Sequence, residues 1–214
     1  MDTFIRWSGR GLVMAGVLTL SVLWHPDIFE TGFAAASREP LWGPGHAAGL
    51  LVVVLTLLGL AGWAARLGRR MGRLGAVGVV LAVVGLVLTA GLAALEAFAF
   101  PVLAREAPEL LELDGPLLGS ATIRVLGGLA LLWLIGLACV GLATERSGAL
   151  PRGAGWLLAL GAVSFAAFEG PFVPVLGPLS VVVFAAGQAW FGLALSFALP
   201  SEHPTAGAPQ HQPA

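Results

Sequence analysis

The chain has 214 residues and a formal net charge of −1, with 57% hydrophobic and only 11% charged residues. A soluble domain carries about 25% charged residues because its surface must face water. This composition excludes a soluble enzyme, a nucleic-acid-binding protein and a disordered regulator as the main body of the chain. It predicts an all-α, polytopic integral membrane protein whose first partner is the lipid bilayer.

Six apolar stretches approach the length of about 20 residues that a transmembrane helix requires. They predict one transmembrane bundle over residues 1–200, followed by a disordered cytoplasmic tail at residues 201–214, which is rich in Pro, His and Gln. The predicted spans are residues 11–24, 47–65, 74–100, 123–143, 154–168 and 178–199.

The distribution of arginine predicts the orientation of these spans. All 11 basic residues are arginine, and eight of them fall in segments on the same side as the N-terminus. Cytoplasmic loops are enriched in Arg and Lys, so both termini are expected in the cytoplasm. The richness in Ala, Gly, Leu and Arg is typical of a GC-rich bacterial genome, which favours the bacterial inner membrane as the location.

Part of the sequence repeats. Glu96 is followed five residues later by Pro101, and Glu169 by Pro174, both at the outer end of an outward-running span. A Gly-Pro pair also stands near the start of each inward-running span. These matches predict three parallel helical hairpins related by an axis along the membrane normal. The alternative is that the Gly-Pro pairs are ordinary loop residues between helices and indicate no repeat.

Ionisable residues at membrane depth are costly and commonly mark function. Small residues precede Glu96 and Glu169 at helical spacing, so both carboxylates are expected to face the bundle interior. We expect Glu96 within reach of Arg124 or His46. The candidate ligand-binding residues, near the outer ends of the spans or, for Gln188, lower in the bundle, are His46, Glu96, Arg124, Glu169 and Gln188.

Several kinds of chemistry suit these residues. Candidate metal ligands are His25, His46, Glu96 and Glu169, a set suited to zinc, manganese or non-haem iron. Two histidines could instead hold a haem, and a chain of Glu, His and Arg could relay protons or bind an anion. No motif is as specific as HExxH, so the cofactor stays open. In a purely structural role, Arg124 would neutralise a glutamate. The single cysteine, Cys139, excludes paired-cysteine redox chemistry within the chain.

The chain resembles the small six-span membrane proteins that are common in bacteria and have no established activity. The resemblance lies in Pro44 and His46 at the start of the second span, the motif Gly72-Arg73-Leu74-Gly75, and the motif Glu96-Ala97-Phe98. It covers most of the chain from Trp42 to Leu199. It implies a six-helix membrane fold and assigns no catalytic residue.

The sequence therefore predicts a membrane protein that binds a small ligand, metal or cofactor near the extracytoplasmic face, as a transporter, sensor or accessory factor. The alternative is a non-catalytic structural subunit that associates with another membrane protein or with a second copy of itself. An enzyme is the least supported class, because no nucleophile and base can be paired from the sequence.

Overall fold

The computed structural model describes residues 1–197, which form helices and connecting turns with no strand among them. The expected all-α class is confirmed for these residues. The predicted tail at residues 201–214 lies outside them. The helical stretches long and apolar enough to cross a membrane are Asp2–Thr31, Trp42–Glu106, Ala121–Ser147 and Leu176–Phe197, and Ala154–Glu169 is a shorter apolar helix.

The helices follow one another with few irregular residues between them. In the first half of the chain they are α1 (Asp2–Thr19), a 3-10 turn (Leu20–Trp24), α2 (Ile28–Thr31), α3 (Phe33–Ala36), α4 (Trp42–Leu67), a 3-10 turn (Gly68–Met71) and α5 (Gly72–Ala94). In the second half they are a π-helical turn (Leu95–Ala99), α6 (Phe100–Glu106), a 3-10 turn (Pro108–Leu111), α7 (Ala121–Ala130), α8 (Leu132–Ser147), α9 (Ala154–Ser164), a second π-helical turn (Phe165–Glu169) and α10 (Leu176–Phe197).

The long helices of the described chain form a closed ring in chain order. α1 packs on α4, α4 on α5, α5 on α8, α8 on α9 and α9 on α10, and α10 packs back against α1. The stretch Trp42–Glu106 contains both α4 and α5, which the 3-10 turn reverses against each other. Since each helix has a neighbour on two sides, the apolar stripes all face one shared interior.

Small residues allow the helices to approach closely. A Cβ atom added to Gly136 of α8 would lie 2.6 Å from the carbonyl oxygen of Gly78 on α5, and Ala82 is completely buried at the same crossing. The buried residues of α5 are Gly75, Gly78, Ala82, Gly85, Leu86 and Ala93. Helices in a bilayer associate through such close van der Waals contact. The small-residue face expected before Glu96 is therefore the packing face of α5.

One half of the ring is filled by side chains. This packed half surrounds Trp63, near the C-terminal end of α4. The Trp63 side chain is fully buried, and its Nε1 donates a hydrogen bond to the Thr144 hydroxyl of α8 at 2.8 Å. Leu60, Leu137 and Phe191 belong to the same buried cluster. The opposite half, around the N-terminal end of α4, contains a cavity and is called the cavity half below.

The predicted fourth span is broken near its middle. α7 ends at Ala130 and α8 begins at Leu132, where the Leu131 N–H donates to the Gly128 carbonyl in a 3-10 pattern. The Thr89 hydroxyl of α5 lies 3.5 Å from the Ala130 carbonyl oxygen, which the break deprives of a helical partner. α7 packs on α5, and among the described residues it makes at most marginal contact with α9. α7 therefore forms one side of the cavity half without closing the ring there.

The segments that precede α4 and follow α5 pack on each other as a small cap. Its buried residues are Ala36, Trp42, Phe100, Ala104 and Leu111. The guanidinium of Arg38 donates from Nε to the Ala104 carbonyl oxygen at 3.0 Å, which ties the first segment to the second. Because Trp42 belongs both to this cap and to the cavity wall, the cap closes the end of the cavity half.

Candidate functional site

The cavity half contains a partly open cavity of about 690 Å³, within the range of about 300–1,000 Å³ typical of small-molecule pockets. Its wall comes mainly from α1, α4, α5, α7 and α8. Most of the wall is aliphatic or aromatic. Apart from tryptophan, the polar side chains that line it are Thr19, Ser21, His25, His46, Thr89 and Glu96.

His46 and Glu96 are in direct contact at the wall. The His46 Nε2 atom lies 3.3 Å from the Glu96 Oε2 atom, and the side chains are 11% and 27% exposed. This confirms the expectation that Glu96 lies within reach of His46. His46 Nδ1 lies 2.8 Å from the Trp42 carbonyl oxygen, one helical turn earlier. Since a carbonyl oxygen only accepts, the His46 Nδ1 atom carries a proton and its Nε2 atom is the one that faces the carboxyl group.

Trp42 holds both members of this pair. Its indole N–H donates to the Glu96 carbonyl oxygen at 2.7 Å, and its ring lies 4.3 Å from the His46 ring between centroids. Glu96 belongs to the π-helical turn Leu95–Ala99. Such a turn changes the backbone hydrogen bonding of an α-helix and is frequent at functional sites. The turn and Trp42 together fix where the carboxylate of Glu96 stands.

His25 is the third ionisable residue of the wall. Its ring meets the His46 ring edge to face, with 5.1 Å between centroids, and lies 5.1 Å from the Trp42 ring. His25 Nδ1 lies 2.8 Å from the Pro26 carbonyl oxygen, so that nitrogen is also the protonated one. On its other side His25 contacts Phe172, which has a φ of 52°. A bulky residue rarely adopts this left-handed conformation, so local packing must stabilise it there.

Two candidates from the sequence lie apart from this cavity. Arg124 is exposed on α7, does not line the wall and makes no ion pair with any residue of the described chain. Glu169 is half-buried in the second π-helical turn, with its carboxylate beside Gly177. Of the two alternatives for Glu96, the contact with His46 is the one present, and the ion pair of Arg124 that the structural reading requires is absent from the described residues. Of the ionisable candidates named from the sequence, the cavity brings together His25, His46 and Glu96.

Gln188 is fully buried behind the cavity wall and holds helices together. Its Oε1 accepts a hydrogen bond from the Thr19 hydroxyl at 2.8 Å, and its Nε2 donates to the Thr56 hydroxyl at 3.4 Å. These bonds join α10 to α1 and α4. Because its amide is already bonded on both sides, this predicted ligand-binding residue occupies a structural position.

The geometry bears on the predicted cofactors. Within residues 1–197, no group of three or more His, Cys, Asp or Glu side chains is placed to hold a metal ion. The rings of His25 and His46 touch edge to face, which leaves no gap between them for a haem plane. What these two residues and Glu96 present to the cavity is a set of hydrogen-bonding atoms on an otherwise apolar wall.

Sequence reasoning missed two residues that organise the bundle. Trp42 was not among the site residues predicted from the sequence. Glu145, at the end of α8, was not singled out, yet its Oε1 accepts from the backbone N–H groups of Gly153 and Gly155 at 2.9 Å. A carboxylate at a helix N-terminus satisfies free N–H groups and the helix dipole. An acidic residue nine positions before the start of α9 was the available signal.

Comparison with known proteins finds no matching family model, no similar curated protein and no similar solved structure. The functional argument therefore depends on the geometry of this chain.

Proposed function

We propose that this chain is a six-span protein of the bacterial inner membrane, with both termini in the cytoplasm, that binds a small ligand in the cavity near the extracytoplasmic face. Two observations support six spans. The helices of the ring follow one another in chain order, and α4 and α5 pack on each other as separate helices. The excess of arginine on the side of the N-terminus supports the orientation.

Reporter fusions in the full chain test this topology. Fusions after Met71 and Ser147 are expected to report the cytoplasm, and fusions after Ser37 and Leu110 the periplasm. A cytoplasmic signal at Leu110 would contradict the proposed orientation, because it would place the cavity half on the other side of the membrane.

The observation that carries the binding proposal is the contact of His46 with Glu96 on the wall of the cavity. A carboxylate at membrane depth is costly and needs a partner or a function. Most of the rest of the wall is apolar, so a bound molecule would gain van der Waals contact along its length and hydrogen bonds at the few polar side chains. Packing alone does not require a cavity of about 690 Å³.

The binding proposal is tested by blocking the cavity. Val52 of α4 lines it, whereas Val54, on the same helix, is 52% exposed on the outside of the ring. The full-length wild type, Val52→Trp and Val54→Trp are purified in mild detergent, and bound molecules are measured by native mass spectrometry, metal analysis and absorption spectra. We expect one near-stoichiometric molecule in the wild type and in Val54→Trp, and its loss in Val52→Trp. The same bound molecules in all three would contradict the proposal.

A structural or accessory subunit is the second candidate. The bonds of Gln188 to Thr19 and Thr56 favour it, because there polar residues serve only to join helices. This candidate predicts a colourless, metal-free protein without a bound molecule that co-purifies tightly with a membrane partner or as an oligomer. Binding predicts a bound molecule whether or not a partner is present.

We also propose that the ring is built from parallel hairpin repeats. α5 and α9 each run into a π-helical turn that contains a glutamate, which supports a relation between the last two hairpins. Glu96 is the second residue of its turn, whereas Glu169 is the last residue of its own. The duplicated hairpins would therefore have diverged in how their outer ends are wound.

A further inference from the structure

Resting on the binding proposal above, we propose that the cavity takes a lipid-soluble molecule with a neutral hydroxyl head group, and that this molecule enters from the bilayer between α7 and α9. The head group would bind at Glu96 and His25, and the apolar body would lie along α4, α5 and α8. The following observations support the head group, the body and the route in turn.

The atoms that His25 and Glu96 leave for a head group are hydrogen-bond acceptors. The Nδ1 atoms of His25 and His46 face backbone carbonyl oxygens, so Nε2 is the accepting nitrogen of each neutral ring. His46 Nε2 is engaged by Glu96, whereas His25 Nε2 and the second oxygen of Glu96 have no hydrogen-bond partner among the described residues. The indole N–H of Trp42 is already donated to a backbone carbonyl. A ligand that donates a hydrogen bond therefore fits these atoms.

The charge of the wall excludes two other classes of head group. Among residues 1–197 no arginine lines the cavity, and the chain has no lysine, so a carboxylate or phosphate would face Glu96 without a cation. An ammonium group would have Glu96 as its one counter-charge on the described wall, and that carboxyl group is already in contact with His46. A hydroxyl group donates one hydrogen bond to Glu96 or His25 and adds no charge.

The remainder of the wall suits an extended apolar body. Leu86, Leu92 and Leu134 line it together with Val53 and Trp133. Water would find few polar partners along these side chains, and apolar cavities of proteins tend to stay dry. An alkyl or isoprenoid chain would replace water there with van der Waals contact.

The route follows from the break at Leu131. α7 packs on α5 and makes at most marginal contact with α9 among residues 1–197, although α8, the continuation of α7, packs on α9 closely. Leu131 lines the cavity and is 48% exposed, so its side chain is not covered by a neighbouring helix. Phe165, which follows α9, lines the cavity from the other side of this gap. A molecule dissolved in the bilayer would thus reach the cavity without crossing the cap.

The first test uses a photoreactive long-chain primary alcohol that carries a diazirine, added to the full-length protein in vesicles of dioleoylphosphatidylcholine. We expect crosslinks at Leu86, Leu92 and Leu134 that an excess of hexadecanol suppresses. Hexadecyl methyl ether and palmitate are expected to compete at least about tenfold less well, because they lack the neutral donor. Equal competition by the ether or by palmitate would overturn the hydroxyl assignment while leaving apolar binding intact. Crosslinks confined to lipid-facing residues, and unchanged in Val52→Trp, would overturn the binding proposal itself.

The route is tested with a matched pair of glycine variants. Gly127 lines the cavity and Gly128 does not, and a Cβ atom at either would meet nothing within 4 Å. Gly127→Trp is expected to slow crosslinking of the cavity by the vesicle-borne alcohol at least about tenfold, and Gly128→Trp to leave it unchanged. Equal rates in both variants, with circular dichroism showing both folded, would overturn the lateral route.

Discussion

The two halves of the ring contain similar types of residue, but their helices pack differently. In the packed half, glycine and alanine bring the backbones together, and the polar side chains of Trp63 and Thr144 bond to each other. In the cavity half, α7 packs on α5 with at most marginal contact with α9 among the described residues, and the side chains of His25 and Glu96 keep polar atoms without partners there. The comparison teaches that composition alone does not close a bundle. Where every helix has two close neighbours, side chains fill the interior of the bundle. Where α7 lacks a close neighbour on one side, a cavity remains.

The largest expected effect comes from enlarging a glycine at a helix crossing. In the packed half, a Cβ atom at Gly136 would lie 2.7 Å from the Cα atom of Ala82, whereas at Gly49 in the cavity half it would meet nothing within 4 Å. We expect Gly136→Leu to lower the free energy of unfolding by about 3 kcal/mol, since overpacking forces backbones apart. Gly49→Leu is expected to change it by less than about 1 kcal/mol. Unfolding in mixed micelles measures both, and equal losses would contradict the contrast between the halves.

A smaller effect is expected at the boundary between the halves. Gln188→Leu removes the hydrogen bonds to Thr19 and Thr56 and is expected to destabilise the protein by about 1 kcal/mol, a typical value for hydrogen bonds between membrane helices. Combining it with Thr56→Val in a double-mutant cycle isolates the shared bond. Loss of the co-purifying molecule without any loss of stability would instead make Gln188 part of the binding site.

The smallest effect on stability is expected in the cavity half. In Glu96→Gln the amide can still donate to His46 Nε2, so the free energy of unfolding is expected to change by less than about 1 kcal/mol. The retained molecule, measured by native mass spectrometry, is expected at clearly lower occupancy, because the neutral amide oxygen is a weaker hydrogen-bond acceptor than a carboxylate. Glu169→Gln makes the same change outside the cavity and is expected to retain the molecule fully. Equal occupancy in the two variants would make Glu96 a structural residue.

Much of the fold could be predicted because it depends on local properties of the chain. The apolar stretches mark the long helices, and the spacing of small residues marks the buried face of α5, on which Gly78, Ala82 and Gly85 lie. The extent of α1 was underestimated: it begins at Asp2 because the polar residues of its first turns can stay helical outside the apolar stretch.

The site was predicted only in part because it depends on how helices are rotated and broken. The proximity of Glu96 to His46 followed from two residues at the same level on neighbouring helices. Arg124 was also expected within reach of Glu96, but it lies on α7, before the break at Leu131, and its side chain is exposed. No sequence pattern predicts the helix break at Leu131, because the glycines and leucines around it are common in unbroken membrane helices. The bonds of Gln188 depend on side chains 132 and 169 residues away in the sequence.

The π-helical turn at Leu95–Ala99 has a consequence for how this chain tolerates insertions and deletions. A π turn holds one residue more than the α-helical turn it replaces, and one residue rotates an α-helix by about 100°. Deleting Leu95 would remove that extra residue and leave the glutamate about a quarter-turn away from His46, on a helix whose hydrophobicity and length are almost unchanged. A chain shortened in this way would still insert and pack, yet its carboxylate would face a different neighbour. The presence of this one residue thus determines whether the bundle has the polar site of Glu96 and His46.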